Sequence, residues 1–219
     1  MIETFGLARA FRDETRIEYA DLSFETGLTY VMLGASGCGK STLLNMIAGV
    51  LTPTEGKIRI DGADMTALSQ KRRDRFRIQN VGYIFQDFKL IEEMTVEDNI
   101  RVLELEGVDT SSTKELLERL QILPLKKRKV ARLSGGEKQR VAIARALVKK
   151  PSIILADEPT GNLNYEIGRD VVSQLIDVSR GRTLIAVTHD DRLASMFDRV
   201  VDMNEVAASV PAKEANLRA

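Results

Sequence analysis

The chain has 219 residues, 43% of them hydrophobic and 29% charged, and its 32 basic side chains balance 32 acidic ones. That length can bury a real core, as one large domain or as a core with an inserted subdomain. A net charge of zero removes any global electrostatic reason to expect nucleic acid or an anionic membrane as partner, and the single cysteine, Cys38, excludes an internal disulfide and fits a reducing compartment.

In chain order, the N-terminal Met1-Ile-Glu-Thr-Phe-Gly lacks a basic segment followed by an apolar stretch, so no signal peptide is expected. No apolar run approaches the ~20 residues that cross a bilayer. The stretch to about Ser23 reads as antiparallel edge strands. Thr29-Tyr-Val-Met-Leu33 reads as a buried strand, followed by a helix over 40–48 with Gly49 as its C-cap. Lys57-Ile-Arg-Ile60, with its Asp61-Gly62 turn, reads as another edge strand. The basic runs at 71–73 and 126–129 read as solvated helix or loop faces. After a strand over 81–85, residues 87–133 change character, with helices expected over 92–105 and 113–123 and no core strand between them. Then come a helix over 138–148, a strand over 152–156, a helix over 166–178 and a strand over 183–187. Residues 207–219 read as a loosely held polar tail. Strands alternating with helices imply an α/β fold with a mostly parallel core sheet. The core would span 1–86 and 134–206, with an N-terminal antiparallel β part and a helical subdomain inserted at about 87–133.

Gly34-Ala35-Ser36-Gly37-Cys38-Gly39-Lys40-Ser41 fits the G-x-x-x-x-G-K-[ST] pattern between a strand and a helix. Glycines let successive backbone N–H groups turn inward as an anion nest, and the helix that continues through Thr42 adds its positive end. Lys40 would reach the β- and γ-phosphates, and the Ser41 hydroxyl would ligate Mg²⁺. Cys38 reads as a small spacer, with a redox switch as the alternative. This loop alone does not separate a transporter motor from a nucleoside kinase or a GTPase.

Ile153-Ile-Leu-Ala-Asp157-Glu158 places two carboxylates at the end of an apolar strand, where ligands sit in open α/β sheets. Asp157 would hold Mg²⁺ through water, and Glu158 would polarise the attacking water as general base. A lone histidine is usually structural. His189, however, ends the strand expected beside the acidic one, so it could donate to a γ-phosphate. Leu133-Ser134-Gly135-Gly136-Glu137 opens a second helix able to bind an anion. One nucleotide has one γ-phosphate, so this second device makes sense for a nucleotide held by another copy.

With these residues the chain resembles the ATP-binding cassette (ABC) ATPases over nearly its whole length. Gly34 to Ser41 resembles Walker A, Gln86 the Q-loop, Leu133 to Glu137 the signature motif and Ile153 to Glu158 Walker B. Gly161-Asn-Leu-Asn164 resembles the D-loop and His189 the H-loop, while Phe11 falls where the family stacks an aromatic on adenine. The run 85–100, with Pro159-Thr-Gly-Asn-Leu163, is similar to the branch of the MacB, LolD and FtsE motors. Asn164 stands where the D-loop usually has aspartate, and Glu137 replaces a more frequent glutamine. Residues 102–130 look short for the branch. Phe11 offers no hydroxyl, and Arg12 beside it could assist through its guanidinium plane.

The resemblance implies an ATPase using ATP and Mg²⁺, with Gln86 also near the metal. It implies a head-to-tail dimer in which Ser134, Gly135 and Gly136 complete the partner copy's site. It further implies an integral-membrane permease as partner, a cytoplasmic position on the inner face of the membrane, and no nucleic-acid partner. Two other classes remain open at this point. One is a non-transport ABC ATPase of the cell-division or nucleic-acid and ribosome type, and the other is a low-turnover regulatory module.

Overall fold

The structure, a computed structural model, describes residues 1–11 and 15–211. The chain opens with antiparallel strands β1 (Ile2–Ala10), β2 (Thr15–Tyr19) and β3 (Leu22–Phe24). Strand β4 (Thr29–Leu33) is buried along almost its whole length, as a central strand must be, and leads into helix α1 (Lys40–Ile47). Strands β5 (Glu55–Ile60) and β6 (Ala63–Asp64) form a hairpin across Asp61 and Gly62, both at positive φ (49° and 80°), the backbone that a two-residue type I′ turn demands. Helix α2 (Gln70–Asn80) hands over directly to β7 (Val81–Ile84).

Next come α3 (Val96–Arg101), prolonged by a 3₁₀ turn to Glu106, and α4 (Thr113–Arg119). Both are shorter than the 92–105 and 113–123 helices expected. The Thr95 hydroxyl accepts the Asp98 N–H at 3.1 Å and starts α3 late. Before it, the carbonyls of Glu92 and Met94 accept the N–H groups of Ala131 and Val130, which ties 92–94 to another segment. Gln121, at φ 58°, stops the second helix. The chain continues through α5 (Gly135–Leu147), β8 (Ile153–Asp157), α6 (Tyr165–Val178), β9 (Thr183–Thr188), β10 (Arg199–Asp202), α7 (Met203–Val206) and β11 (Ala207–Pro211).

Five strands form a parallel sheet in the order β10-β4-β9-β8-β7, and an antiparallel sheet runs β11-β2-β1-β5-β6 with β3 on β1. Helix α1 lies between the two sheets. Its Leu43, Leu44, Met46 and Ile47 are buried against Met32 and Val187 on one side and Ile2 and Ile58 on the other. On the far face of the parallel sheet, Val96, Ile100 and Leu117 share one apolar cluster with Val141 of α5 and Leu175 of α6. Each such fully buried aliphatic side chain contributes roughly 1.5–3 kcal/mol of transfer free energy. The helical segment is therefore pinned to the helices that cover the sheet.

One expectation is corrected. Residues 207–211, read as the start of a loose tail, form β11, paired antiparallel with β2 from Ala207↔Tyr19 to Pro211↔Thr15. Small residues give no apolar pattern to read, and the order comes from the backbone edge that β2 offers. Residues 212–219 lie outside the described residues.

Candidate active site

The carboxyl ends of β4, β9 and β8 lie side by side, and the three candidate motifs emerge from them. In the first, Gly37 and Gly39 take φ values of 83° and 100°, open to glycine at no steric cost. Gly34 answers to crowding instead: a β-carbon there would lie 2.9 Å from both Cys38 Sγ and Met203 Cβ. Ala35, Ser36 and Gly37 form the exposed rim of the loop, and Cys38 is half-buried. Below the rim, the Tyr19 hydroxyl donates to the Gly39 carbonyl at 2.9 Å, and its burial pushes its pKa well above the ordinary phenol value. Thr42 hydrogen-bonds the same hydroxyl.

Helix α1 starts with no side-chain cap and no acidic residue in its first turn, so its first N–H groups have no capping side chain to accept them. Lys40 is buried (6% exposed) and donates to the carbonyls of Gly34 at 2.6 Å and Ala35 at 2.9 Å. An ammonium has three donors. Beyond those two bonds lies Glu158, whose Oε1 is 4.0 Å from Lys40 Nζ.

The Ser41 hydroxyl donates to Asp157 Oδ1 at 2.7 Å, and the Tyr83 hydroxyl approaches the other oxygen at 3.4 Å. Burial, with the Asp157 charge beside it, raises the Tyr83 pKa far above its usual range. Glu158 follows at φ 46°, a left-handed backbone that costs a non-glycine residue about 1–2 kcal/mol. Its N–H bonds the Val187 carbonyl of β9 at 3.0 Å, which fixes that turn. The strained backbone brings Glu158 Oε2 to 3.0 Å from Nδ1 of His189. The carboxylate is 13% exposed and the imidazole 60%, so the pair sits at the mouth of the site, and Nδ1 engagement leaves Nε2 for another partner.

Gln86, just past β7, contacts the 161–162 turn. Its carbonyl accepts the Asn162 side-chain N–H at 3.0 Å, and a β-carbon on Gly161 would lie 3.1 Å from its Nε2. Arg145 of α5 donates to the carbonyls of Lys89 at 2.5 Å and Phe88 at 2.8 Å, two residues held at positive φ. Asn164, where a charge is lost against the usual aspartate, still caps α6 by accepting the Ile167 N–H at 3.0 Å. Ser134 caps α5, and Gly135 and Gly136 let that helix approach Leu163 and Ile167; added β-carbons would sit 3.0 and 2.7 Å from those side chains. Among the described residues, no hydrogen bond joins Ser134, Gly135 or Gly136 to the 34–41 loop. Phe11 follows β1, 37% exposed, with the Arg9 guanidinium 5.8 Å over its ring. The expected neighbour Arg12 lies outside the described residues.

The donor set tests the expected metal. Ser41 and Asp157 present hard oxygens to one point, which suits Mg²⁺, an ion that keeps several waters and shares its shell with phosphates. Among the described residues no cluster of three or more His, Cys, Asp or Glu could hold a metal ion. A cleft of about 610 Å³ lies elsewhere, lined by Lys71, Asp74, Ile78, Glu106, Val108 and Lys149.

Three neighbours of the site were not legible as such. Tyr83 reads as a strand residue, Asn162 only as part of the 161–164 segment likened to the D-loop, and Arg145 as a helix former. The only signal was their sequence proximity to the motifs.

A phosphate loop, an acidic strand end and a strand-end histidine, assembled on one parallel sheet, define a nucleoside-triphosphate hydrolase of the cassette type. The model of the ABC transporter family matches residues 17–161. An uncharacterized ABC transporter ATP-binding protein of Mycobacterium tuberculosis is 40% identical over 214 residues, covering 93% of this chain and 86% of its own. LolD, the lipoprotein-releasing system ATP-binding protein of Xanthomonas euvesicatoria, is 41% identical over 192 residues (84% and 79%). The cassette MJ0796, solved as a dimer, superposes with a TM-score of 0.80 at 30% identity, covering 97% of this chain and 99% of its own. A second MJ0796 dimer, in a post-hydrolysis state bound to ADP and Pi, gives 0.79.

The chain belongs to the ABC transporter ATP-binding family, and within it to the LolD/MacB type. It is the ATP-binding and ATP-hydrolysing subunit of an ABC transporter. No helix among the described residues is long and apolar enough to cross a membrane.

Proposed function

We propose that two copies of the chain close head to tail around two ATP molecules and so drive a separate integral-membrane permease. The reading is carried by one observation: Lys40, Ser41, Asp157, Glu158 and His189 converge on one point, while Ser134, Gly135 and Gly136 cap a different helix turned to other contacts. The glycine loop and Lys40 bind the β- and γ-phosphates, and Phe11 stacks on the base. Ser41 and Asp157 would hold Mg²⁺, with Gln86 nearby, and the ion would supply charge neutralisation for the phosphate oxygens. Glu158 takes a proton from the attacking water, and His189 steadies that carboxylate through Nδ1. The products are ADP and phosphate. The exposed apolar residues Phe85, Ile91 and Met94 are the surface offered to the permease, in keeping with a position on the cytoplasmic side of the membrane. The likeness to LolD, the ATP-binding protein of a lipoprotein-releasing system, supports a releasing system as the machinery driven.

The test is Glu158→Gln. Turnover should fall by about 10²- to 10⁴-fold with ATP binding retained. A variant hydrolysing at the wild-type rate would remove Glu158 from the chemistry.

A further inference from the structure

Two helix N-termini serve this machinery, and they are finished differently. Helix α1 begins at Gly39 with no side-chain cap and no acid in its first turn. Helix α5 begins with a closed capping box: the Ser134 N–H donates to Glu137 Oε2 at 2.7 Å, and the Ser134 hydroxyl donates to the same oxygen at 2.9 Å. The Glu137 N–H returns a bond to Ser134 Oγ at 3.4 Å. Both donors that Ser134 can offer an anion are thus taken by the chain's own carboxylate. Lys138, the cation next in sequence, is engaged by Glu92 at 2.7 Å.

We propose that Glu137 is a positioning residue that occupies Ser134 until the γ-phosphate held by the other copy displaces it, and so sets the threshold for dimer closure. The inference rests on the head-to-tail reading above. A carboxylate and a phosphate compete for the same N–H and O–H, and two anions at contact distance repel. Ser134 is exposed and its hydroxyl turns about a single bond, so the exchange needs no backbone movement. A glutamine at this position would cap α5 through a neutral oxygen and add no charge. The carboxylate therefore disfavours the closed dimer, and it leaves the ATP site of a single copy untouched.

The experiment uses the full chain in a Glu158→Gln background, where ATP is not consumed, and measures the ATP-dependent dimer dissociation constant by sedimentation. ATP affinity at low protein concentration is measured in parallel with a fluorescent analogue. Glu137→Gln should tighten the dimer on the order of ten-fold, two such contacts being made per dimer, with single-copy ATP affinity unchanged. Glu137→Ala should tighten it too while lowering the melting temperature through the lost cap. If the parent dimerises and both variants dimerise equally or more weakly, Glu137 is only a cap and the proposal falls. If the parent binds ATP but never dimerises, the two-copy site fails and takes this proposal with it.

Discussion

The side-chain amide of Asn162 donates to the backbone carbonyl of Gln86 at 3.0 Å, joining two loops 76 residues apart. One loop follows β7 and the other follows the acidic end of β8, so a shift in either is felt by the other. Asn162→Ala removes that tie, and a net hydrogen bond of about 0.5–1.5 kcal/mol corresponds to a loss of roughly two- to ten-fold in turnover. Steady-state hydrolysis should fall by that much while the affinity of a single copy for ATP stays constant. Equal loss in both would mean that the bond merely supports the fold.

Arg145 holds the same Gln86 loop from the other side. Burial lowers its pKa, and its two bonds go to the carbonyls of Phe88 and Lys89, whose left-handed backbones need external support. Arg145→Met keeps most of the packing and deletes both bonds. Stability should drop by about 1–3 kcal/mol, and amide exchange should accelerate locally over residues 86–92. Denaturant titration and mass-resolved hydrogen exchange check the two halves.

Much of this arrangement was readable in advance, and the gaps have physical reasons. Strands β4, β7, β8 and β9 were legible because burial on both faces produces unbroken apolar runs. Strand β10 was not: among the described residues it pairs only with β4, and its Val200 is 53% exposed. Helix α2 buries none of its residues and therefore shows no stripe. The phosphate loop, Asp157, Glu158 and His189 were legible because glycine spacing and strand-end acids are local chemistry. The Asn162–Gln86 and Arg145–Lys89 bonds join residues 76 and 56 apart, a relation that no local pattern records.

Gly136 sets how closely α5 lies on α6. A β-carbon there would meet Ile167 Cγ2 at 2.7 Å. Gly136→Ala should cost about 1–3 kcal/mol through overpacking, and Ile167→Ala in the same chain should recover most of it. Thermal melts of the two single variants and the double variant close the cycle. Additive losses would show that the contact does not limit the approach.

Burial, with Arg77 nearby, brings the Lys149 ammonium from 10.5 down to about 8. The folded chain then gives up a proton that the unfolded chain keeps up to about 10.5. Stability should accordingly rise with pH across that window, and the cost of burying the charge is fully present below pH 8. Lys149→Met should be more stable than wild type at pH 7, by about 1 kcal/mol once partial solvent access is allowed for. The advantage should shrink as pH climbs from 8 towards 10.5. Urea titrations at the two ends of the range decide it, and a constant difference would show that Lys149 does not titrate in that window.

Met203 lies under Gly34, and β10 flanks the strand from which the phosphate loop springs. On the ribosome this has a temporal meaning. Residues 34–41 emerge first, and their floor and one wall follow only with residues 199–203, on the order of ten seconds later at ordinary elongation rates. Until then β4 lacks a neighbour and the loop lacks its backing. The nascent chain should therefore gain its grip on nucleotide only once residues 199–203 have been made.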